Sequence, residues 1–217
     1  MKSRPQLLSY DIADGVRAFS TTRHGGVGQG PYSSFNINHY CGDEPAAVNA
    51  NKEALAVELG IASDHIIIPH QIHEAAFRIV GPDFFSLKPS DRDMLLDGVD
   101  GIMTSEQGVC IGVSTADCIP VLLYDAAHHA ACAVHAGWRG TVQYITMKAI
   151  SEMRVAFGSD ASALHAVIGP GISLESFEVG HEVYEEFAQA GFDMDKVARL
   201  YDKWHIDLPE CNRLQLV

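Results

Sequence analysis

No run of about 18 apolar residues occurs in this 217-residue sequence, so nothing in it reads as a bilayer-spanning helix. The opening residues, MKSRPQLLSYD, lack the apolar stretch of about 7–15 residues that marks a secretory signal. Cysteines are few: Cys41, Cys110, Cys118, Cys132 and Cys211 make an odd count of five, widely spaced and without any CxxC. That pattern argues against a disulfide framework and predicts reduced thiols in a cytoplasmic protein. Basic residues are scarce as well, 15 Lys and Arg against 28 Asp and Glu, a formal net charge of -13. A surface this acidic repels a phosphate backbone and an anionic membrane alike, so neither nucleic acid nor membrane is expected as a partner. Any anionic substrate must then be met by a few locally placed arginines. Internal repeats, low-complexity tracts, a P-loop and the GxGxxG dinucleotide fingerprint are also missing. The eleven histidines include no His-x-His, so a trinuclear copper centre lacks an obvious supply of paired imidazoles.

What is present is a chain with 47% hydrophobic residues, enough to bury the core of one domain spanning 1–217. A strand over 16–22 leads into a glycine-rich loop from Arg23 to Pro31. A helix is predicted over 45–59, with Asp43 near its N-cap, Pro45 in the first turn and Gly60 as the stop. The β-branched run 66–68 reads as a strand delivering Pro69-His70-Gln71-Ile72-His73. Three short apolar runs, 108–114, 119–124 and 130–135, favour buried strands. A helix over 141–157 capped by Thr141, a strand over 164–168 and a helix over 181–190 follow. Strands and helices mix without regular alternation, which predicts an α+β sandwich with mixed sheets.

The segments Ser114-Thr115-Ala116-Asp117-Cys118-Ile119-Pro120 and Ala133-Val134-His135-Ala136-Gly137-Trp138-Arg139-Gly140 carry the densest chemistry. A strand, turn and returning strand between them would bring Cys118 beside His135, with His73 as a third group. One thiolate and two imidazoles suit zinc, with a fourth position left for water in a catalytic site. The same residues also permit a Cys118 nucleophile activated by His135, and a buried, inert cysteine is the plainest alternative. The glycine-rich loop with Arg23 reads either as a turn or as an oxyanion cradle. Arg139, beside a helix start, is placed to bind an anion or to form a structural salt bridge.

The segments TTRHGGVGQGPYSSFNINHYCGD, PHQIH, DGVDGIMTS, STADCIPVLLYD, AVHAGWRGT and IGPGISLESFEVG follow one another along most of the chain. In them the sequence resembles the YfiH-like family, called laccase-domain or polyphenol oxidase proteins and regarded as purine nucleoside phosphorylases. The resemblance implies that His73, Cys118 and His135 are zinc ligands in the active site. It also implies phosphorolysis of adenosine, inosine, guanosine and methylthioadenosine, together with adenosine deamination. Purine nucleosides and phosphate would thus be the small-molecule partners, and peptidoglycan editing is a physiological alternative. The implied fold is the layered α+β sandwich shared with a bacterial toxin catalytic domain, a cysteine-hydrolase-like fold. Within that frame Arg23 and Arg139 are candidate phosphate-positioning groups, and Asp117 and Asp100 are candidates for acid/base work or substrate hydroxyl contacts. Two departures stand out. Glu74 replaces the glycine that usually follows the histidine of the QxH motif, and the family's C-terminal tail, with a Cys-Thr pair and an FSxRR stretch, is expected to be lacking here.

Overall fold

The computed structural model describes residues 4–217. Strands β1 (Leu7–Tyr10) and β2 (Ala18–Thr21) form an antiparallel hairpin in the register Leu7↔Thr21 to Tyr10↔Ala18. Helix α1 (Pro45–Leu59) has its local signals in place: Pro45 sits in the first turn, and Gly60 closes the helix at φ 72°. Its N-cap is Glu44, next to Asp43, without a side-chain capping bond. The buried residues Val48, Asn51, Leu55 and Ala56 lie on one face. Asn51 clamps the glycine-rich loop, accepting the Val27 N–H at 2.9 Å and donating to the carbonyls of Ser34 (3.2 Å) and Asn36 (3.0 Å).

Strand β3 (Ile66–Ile67) leads through a long loop to β4 (Phe77–Ile79), α2 (Pro89–Leu96), β5 (Gly101–Thr104) and β6 (Cys110–Ile111). The apolar run expected as a strand over 108–114 yields only the two residues of β6, paired in parallel with β3. Beyond Gly112 the ladder is taken over by a side chain: the Gln71 amide bonds both the Ser114 N–H (2.7 Å) and its carbonyl (2.8 Å).

The scaffold of the molecule is the hairpin of β7 (Ile119–Asp125) and β8 (Ala130–Ala136), in the register Ile119↔Ala136 to Asp125↔Ala130. With β9 (His165–Ile168) it forms a five-stranded sheet ordered β4-β5-β8-β7-β9, parallel at β4–β5 and antiparallel elsewhere. Both faces of β7 and β8 are covered along nearly their whole length, which explains why these two strands are predominantly apolar. Val121, Leu123, Cys132 and Val134 pack on one face. Leu122 and Ala133 pack on the other, with Ile67, Val80 and Leu96. The turn between β7 and β8 is built by Asp125, whose Oδ1 accepts the Ala127 and His128 N–H groups while Oδ2 meets His128 Nδ1 at 2.7 Å. Asp125→Ala removes these turn-forming bonds and is expected to lower stability by about 1–3 kcal/mol in urea unfolding.

The helix expected over 141–157 is two helices, α3 (Trp138–Val142) and α4 (Ile145–Phe157), parted where Tyr144 turns to φ 60°. Thr141 is not a cap; Gly137 takes that place, and Thr141 is buried in α3. Tertiary contacts override the local helical pattern. The Tyr144 hydroxyl donates to the Ala190 carbonyl at 2.7 Å and its ring stacks on Phe192. The chain then runs through β10 (Glu178–Val179), α5 (His181–Ala190), α6 (Met194–Val197), β11 (Ala198–Leu200), β12 (Trp204–Ile206) and α7 (Leu208–Leu214). Strands β10, β12 and β11 make a three-stranded sheet. Buried Asn212 in α7 ties α3 and α4 together, donating to Thr141 Oγ1 (3.0 Å) and accepting from Thr146 Oγ1 (2.7 Å). Ile145, Ala149, Met153 and Phe187 complete the core against the central sheet. The result is a mixed α/β fold with several sheets, and among the described residues no helix is long and apolar enough to cross a membrane.

Candidate metal centre

The open end of the β7–β8 hairpin brings two chemical groups together. Cys118 immediately precedes β7, and His135 lies in β8 opposite Pro120. His73 arrives from the loop after β3. One donor atom from each of His73, Cys118 and His135 lies within 4.8 Å of the other two. Four-coordinate zinc with such ligands has donor–donor edges of roughly 3.4–3.6 Å, so the cluster has the size of a metal site. The three donors together leave the fourth tetrahedral position unassigned. Gly137 accounts for the close approach: a Cβ there would sit 3.1 Å from Cys118 Sγ and 3.1 Å from His73 Cδ2.

Asp100 holds the cluster from below. It is fully buried, and its carboxylate accepts from His135 Nδ1 at 2.7 Å. It also accepts the backbone N–H groups of His73 (3.0 Å), Glu74 (2.9 Å) and Ile72 (3.4 Å). These bonds hold His73 at φ 66°, a left-handed conformation that a non-glycine residue adopts only under strong local constraint. One buried carboxylate thereby orients the His135 imidazole directly, the carboxylate–histidine arrangement of metal sites, and fixes the backbone that carries His73.

Charge follows the same contacts. Burial works to raise the Asp100 pKa, but the His135 hydrogen bond and the Glu74 and His73 N–H groups outweigh it and hold the carboxyl below its usual range. Burial works to depress His135, yet its bonds to Asp100 and Cys118 push it up to about 9. His73 is held below the ordinary imidazole value by burial and by the neighbouring His135, with Arg139 adding to the effect. Asp100, His135 and Cys118 thus stand in sequence, Asp100 hydrogen-bonded to His135 and the Cys118 sulfur within 4.8 Å of a His135 ring nitrogen.

Next to the cluster is a pocket of about 620 Å³ lined by Ile72, His73, Glu74, Arg139 and Gln143. Arg139, in the first turn of α3, is exposed there, its guanidinium 4.4 Å over the Trp138 ring. Asp117 is exposed beside Cys118, its carbonyl accepting the Ile172 N–H at 2.8 Å. Two of the expected roles need correction. Asp100 does not face a substrate, because His135 and three backbone N–H groups occupy its buried oxygens. Arg23 lines a different cavity and donates to the Ser33 carbonyl at 3.1 and 3.2 Å. Nor does its loop form an oxyanion cradle. The N–H groups of Gly26, Val27 and Gly28 point to Ser34 Oγ, Asn51 Oδ1 and the Ser34 carbonyl. Gly137 and Gln143 carried no signal of their own in the sequence, apart from the nearby Trp138-Arg139-Gly140.

Comparison with known proteins agrees with this architecture. Residues 17–217 match the family model described as multi-copper polyphenol oxidoreductase laccase. A Bacteroides thetaiotaomicron protein named purine nucleoside phosphorylase is 45% identical, over 98% of this chain and 81% of its own length. A protein of an unknown prokaryotic organism named adenosine deaminase RL5 is 40% identical, over 98% of this chain and 83% of its own. The crystal structure of Bacillus licheniformis hypothetical protein YfiH superposes with a TM-score of 0.88 at 26% identity, covering 100% of this chain and 82% of that one. YlmD from Geobacillus stearothermophilus gives a TM-score of 0.84 at 28% identity, over 94% and 76% of the two chains. By its sequence and its fold, the chain belongs to the laccase-like YfiH family.

Proposed function

We propose that the chain is a zinc-dependent purine nucleoside phosphorylase acting on adenosine, inosine, guanosine and methylthioadenosine, with adenosine deaminase activity. The names of its relatives support that reading. The observation that carries it is the His73–Cys118–His135 cluster opening beside a pocket that presents Arg139. One thiolate and two imidazoles suit a single zinc ion better than a copper cluster, and this is the one such three-donor group among the described residues. Zinc held there acts as a Lewis acid toward an oxygen of water or substrate.

The chain's own groups divide the remaining work. Asp100 keeps His135 and the His73 backbone in place. Arg139 offers a planar guanidinium to a phosphate oxygen and positions it toward the anomeric carbon. Phosphorolysis forms a C–O bond to phosphate as the C–N bond to the purine breaks. Glu74 stands in the same pocket for proton transfer, and Asp117 lies where it can meet a ribose hydroxyl. The purified protein should contain about one zinc per chain. It should release hypoxanthine from inosine only when phosphate is added, and ammonia from adenosine without it. Metal-free protein turning over nucleosides at the full rate would overturn the reading.

The Asp100–His135 hydrogen bond with the Cys118 sulfur close to the same imidazole favours one second reading, a thiol hydrolase on the toxin-like cysteine-hydrolase fold. Such an enzyme keeps its activity in chelator and loses it to iodoacetamide.

Gly137→Ala separates a metal site from a merely crowded one. The new Cβ presses on Cys118 Sγ and His73 Cδ2, while the backbone φ of -69° accepts alanine. Zinc affinity, read by chelator competition, should fall about tenfold, with global stability changed by less than about 1 kcal/mol.

A further inference from the structure

The three donors of the metal centre are held in different ways. His135 is fixed by the β7–β8 ladder, where it stands opposite Pro120. His73 and Cys118 ride on loops that packing restrains little: Ile72, His73 and Glu74 are exposed, and so are Thr115, Ala116 and Asp117. Asp100 fixes the backbone at His73 and the His135 ring, which leaves the cysteine's loop to be placed by other contacts. At one end of that loop the Asp117 carbonyl accepts the Ile172 N–H at 2.8 Å, which ties Cys118 to the chain after β9 and not to His73.

Strands β3 and β6 begin as a parallel pair, and the Gly112 N–H still bonds the Ile67 carbonyl at 3.0 Å. Two residues on, Pro69 has no N–H to offer, and the chain turns to a new partner. His70 donates to the Leu96 carbonyl (2.9 Å) and accepts the Val99 N–H (3.1 Å). The backbones that carry His73 and Cys118 have thus separated before either donor is reached. The Gln71 side chain spans the gap. Its Oε1 accepts the Ser114 N–H at 2.7 Å, and its Nε2 donates to the Ser114 carbonyl at 2.8 Å. A planar amide bonded at both ends fixes Ser114 in distance and in orientation, as a neighbouring strand would. Gln71 lies two residues before His73, and Ser114 four before Cys118. Between the clamp and the two donor residues there is room for at most about 7 Å and 14 Å of extended chain.

We propose that Gln71 is a positioning residue of the metal centre: by clamping Ser114 it sets the separation of His73 and Cys118. Its amide is engaged with Ser114, so it acts through the two loops and not on the ion. A site held about 1 Å too loosely performs poorly even with every ligand present. This assignment rests on the zinc reading above.

Gln71→Met keeps the length of the side chain and removes both bonds. Zinc affinity, read by chelator competition, should fall by about 10–100-fold, the range for losing an outer support of a metal ligand. Asp125→Ala, which loosens the far turn of the hairpin, is the control for lost stability and should leave the affinity of the folded molecules unchanged. Linkage supplies a second readout in the unaltered protein: a clamp that favours zinc is favoured by zinc to the same factor. Zinc should therefore slow amide exchange at Ser114 by about 10–100-fold, while Ala127 in the Asp125 turn exchanges as before. That readout serves even where Gln71→Met does not fold. Undiminished affinity in Gln71→Met, or a Ser114 amide indifferent to zinc, would refute the positioning role and leave the zinc reading intact. Equal losses of affinity in Gln71→Met and Asp125→Ala would trace the effect to stability and also refute it. An unaltered chain that takes up no zinc would instead defeat the zinc reading, and this assignment with it.

Discussion

Cys118→Ala is expected to abolish zinc binding and both nucleoside activities together. The sulfur is one of the three proposed donors, and two imidazoles alone would leave an ion held too weakly to survive purification. Turnover should drop by roughly 1000-fold, the scale of losing a principal transition-state contact. The fold should survive, because Cys118 sits half-buried at the mouth of the hairpin and not among the packed residues of the sheet. Metal analysis, inosine phosphorolysis and a thermal melt on one preparation check all three statements. A Cys118→Ala protein that keeps stoichiometric zinc would refute the proposed ligand set, and inactivity with the metal retained would favour the thiol hydrolase.

Asp100→Asn is the second large effect. The amide matches the carboxylate in size, but its NH2 group now faces donors that need an acceptor. Loss of such a carboxylate behind metal-binding histidines weakens metal binding by about 10–100-fold. Removing one member of a buried charged pair should also lower stability by about 3 kcal/mol. The metal-free protein carries a pH signature of the same contact. His135 has its pKa raised to about 9 in the folded state, so its contribution is fully present below the ordinary imidazole value. It fades as pH rises through 9. Urea unfolding of metal-free protein should therefore show stability falling from pH 6.5 upward, and Asp100→Asn should flatten that fall. An unchanged slope would mean that Asp100 does not hold the His135 proton.

Local chemistry made some elements readable in the sequence. Helix α1 matched its expected bounds because Pro45 and Gly60 act through their own backbone conformations. The two long strands of the central hairpin were readable because burial on both faces makes them apolar throughout. The broken helix at Tyr144 was not, since the hydroxyl bond to Ala190 and the Asn212 network come from residues far along the chain. The short sheet of β10, β11 and β12 gave no periodic signal, its strands being two or three residues long. The cluster itself was visible as residue types, and a strand, turn and returning strand joined Cys118 to His135, but 45 positions separate His73 from Cys118, so spacing alone left the set weak until the family resemblance supported it. Asp100 drew notice as an acid, whereas its role as the buried acceptor under two histidines needed coordinates. Arg23 looked available because a sequence does not show that the Ser33 carbonyl already holds its guanidinium.

The pairing of β7 with β8 bears on how damage to this protein should look. His135 shares a sheet face with Ala133, while Val134 and Ala136 point to the opposite one. Sliding the ladder by a single residue would send the imidazole through to the helical side. No intermediate alignment exists, so lesions in the distant Asp125 turn should not yield sluggish enzyme. They should instead lower the titratable fraction of competent molecules, with KM unmoved in those that remain.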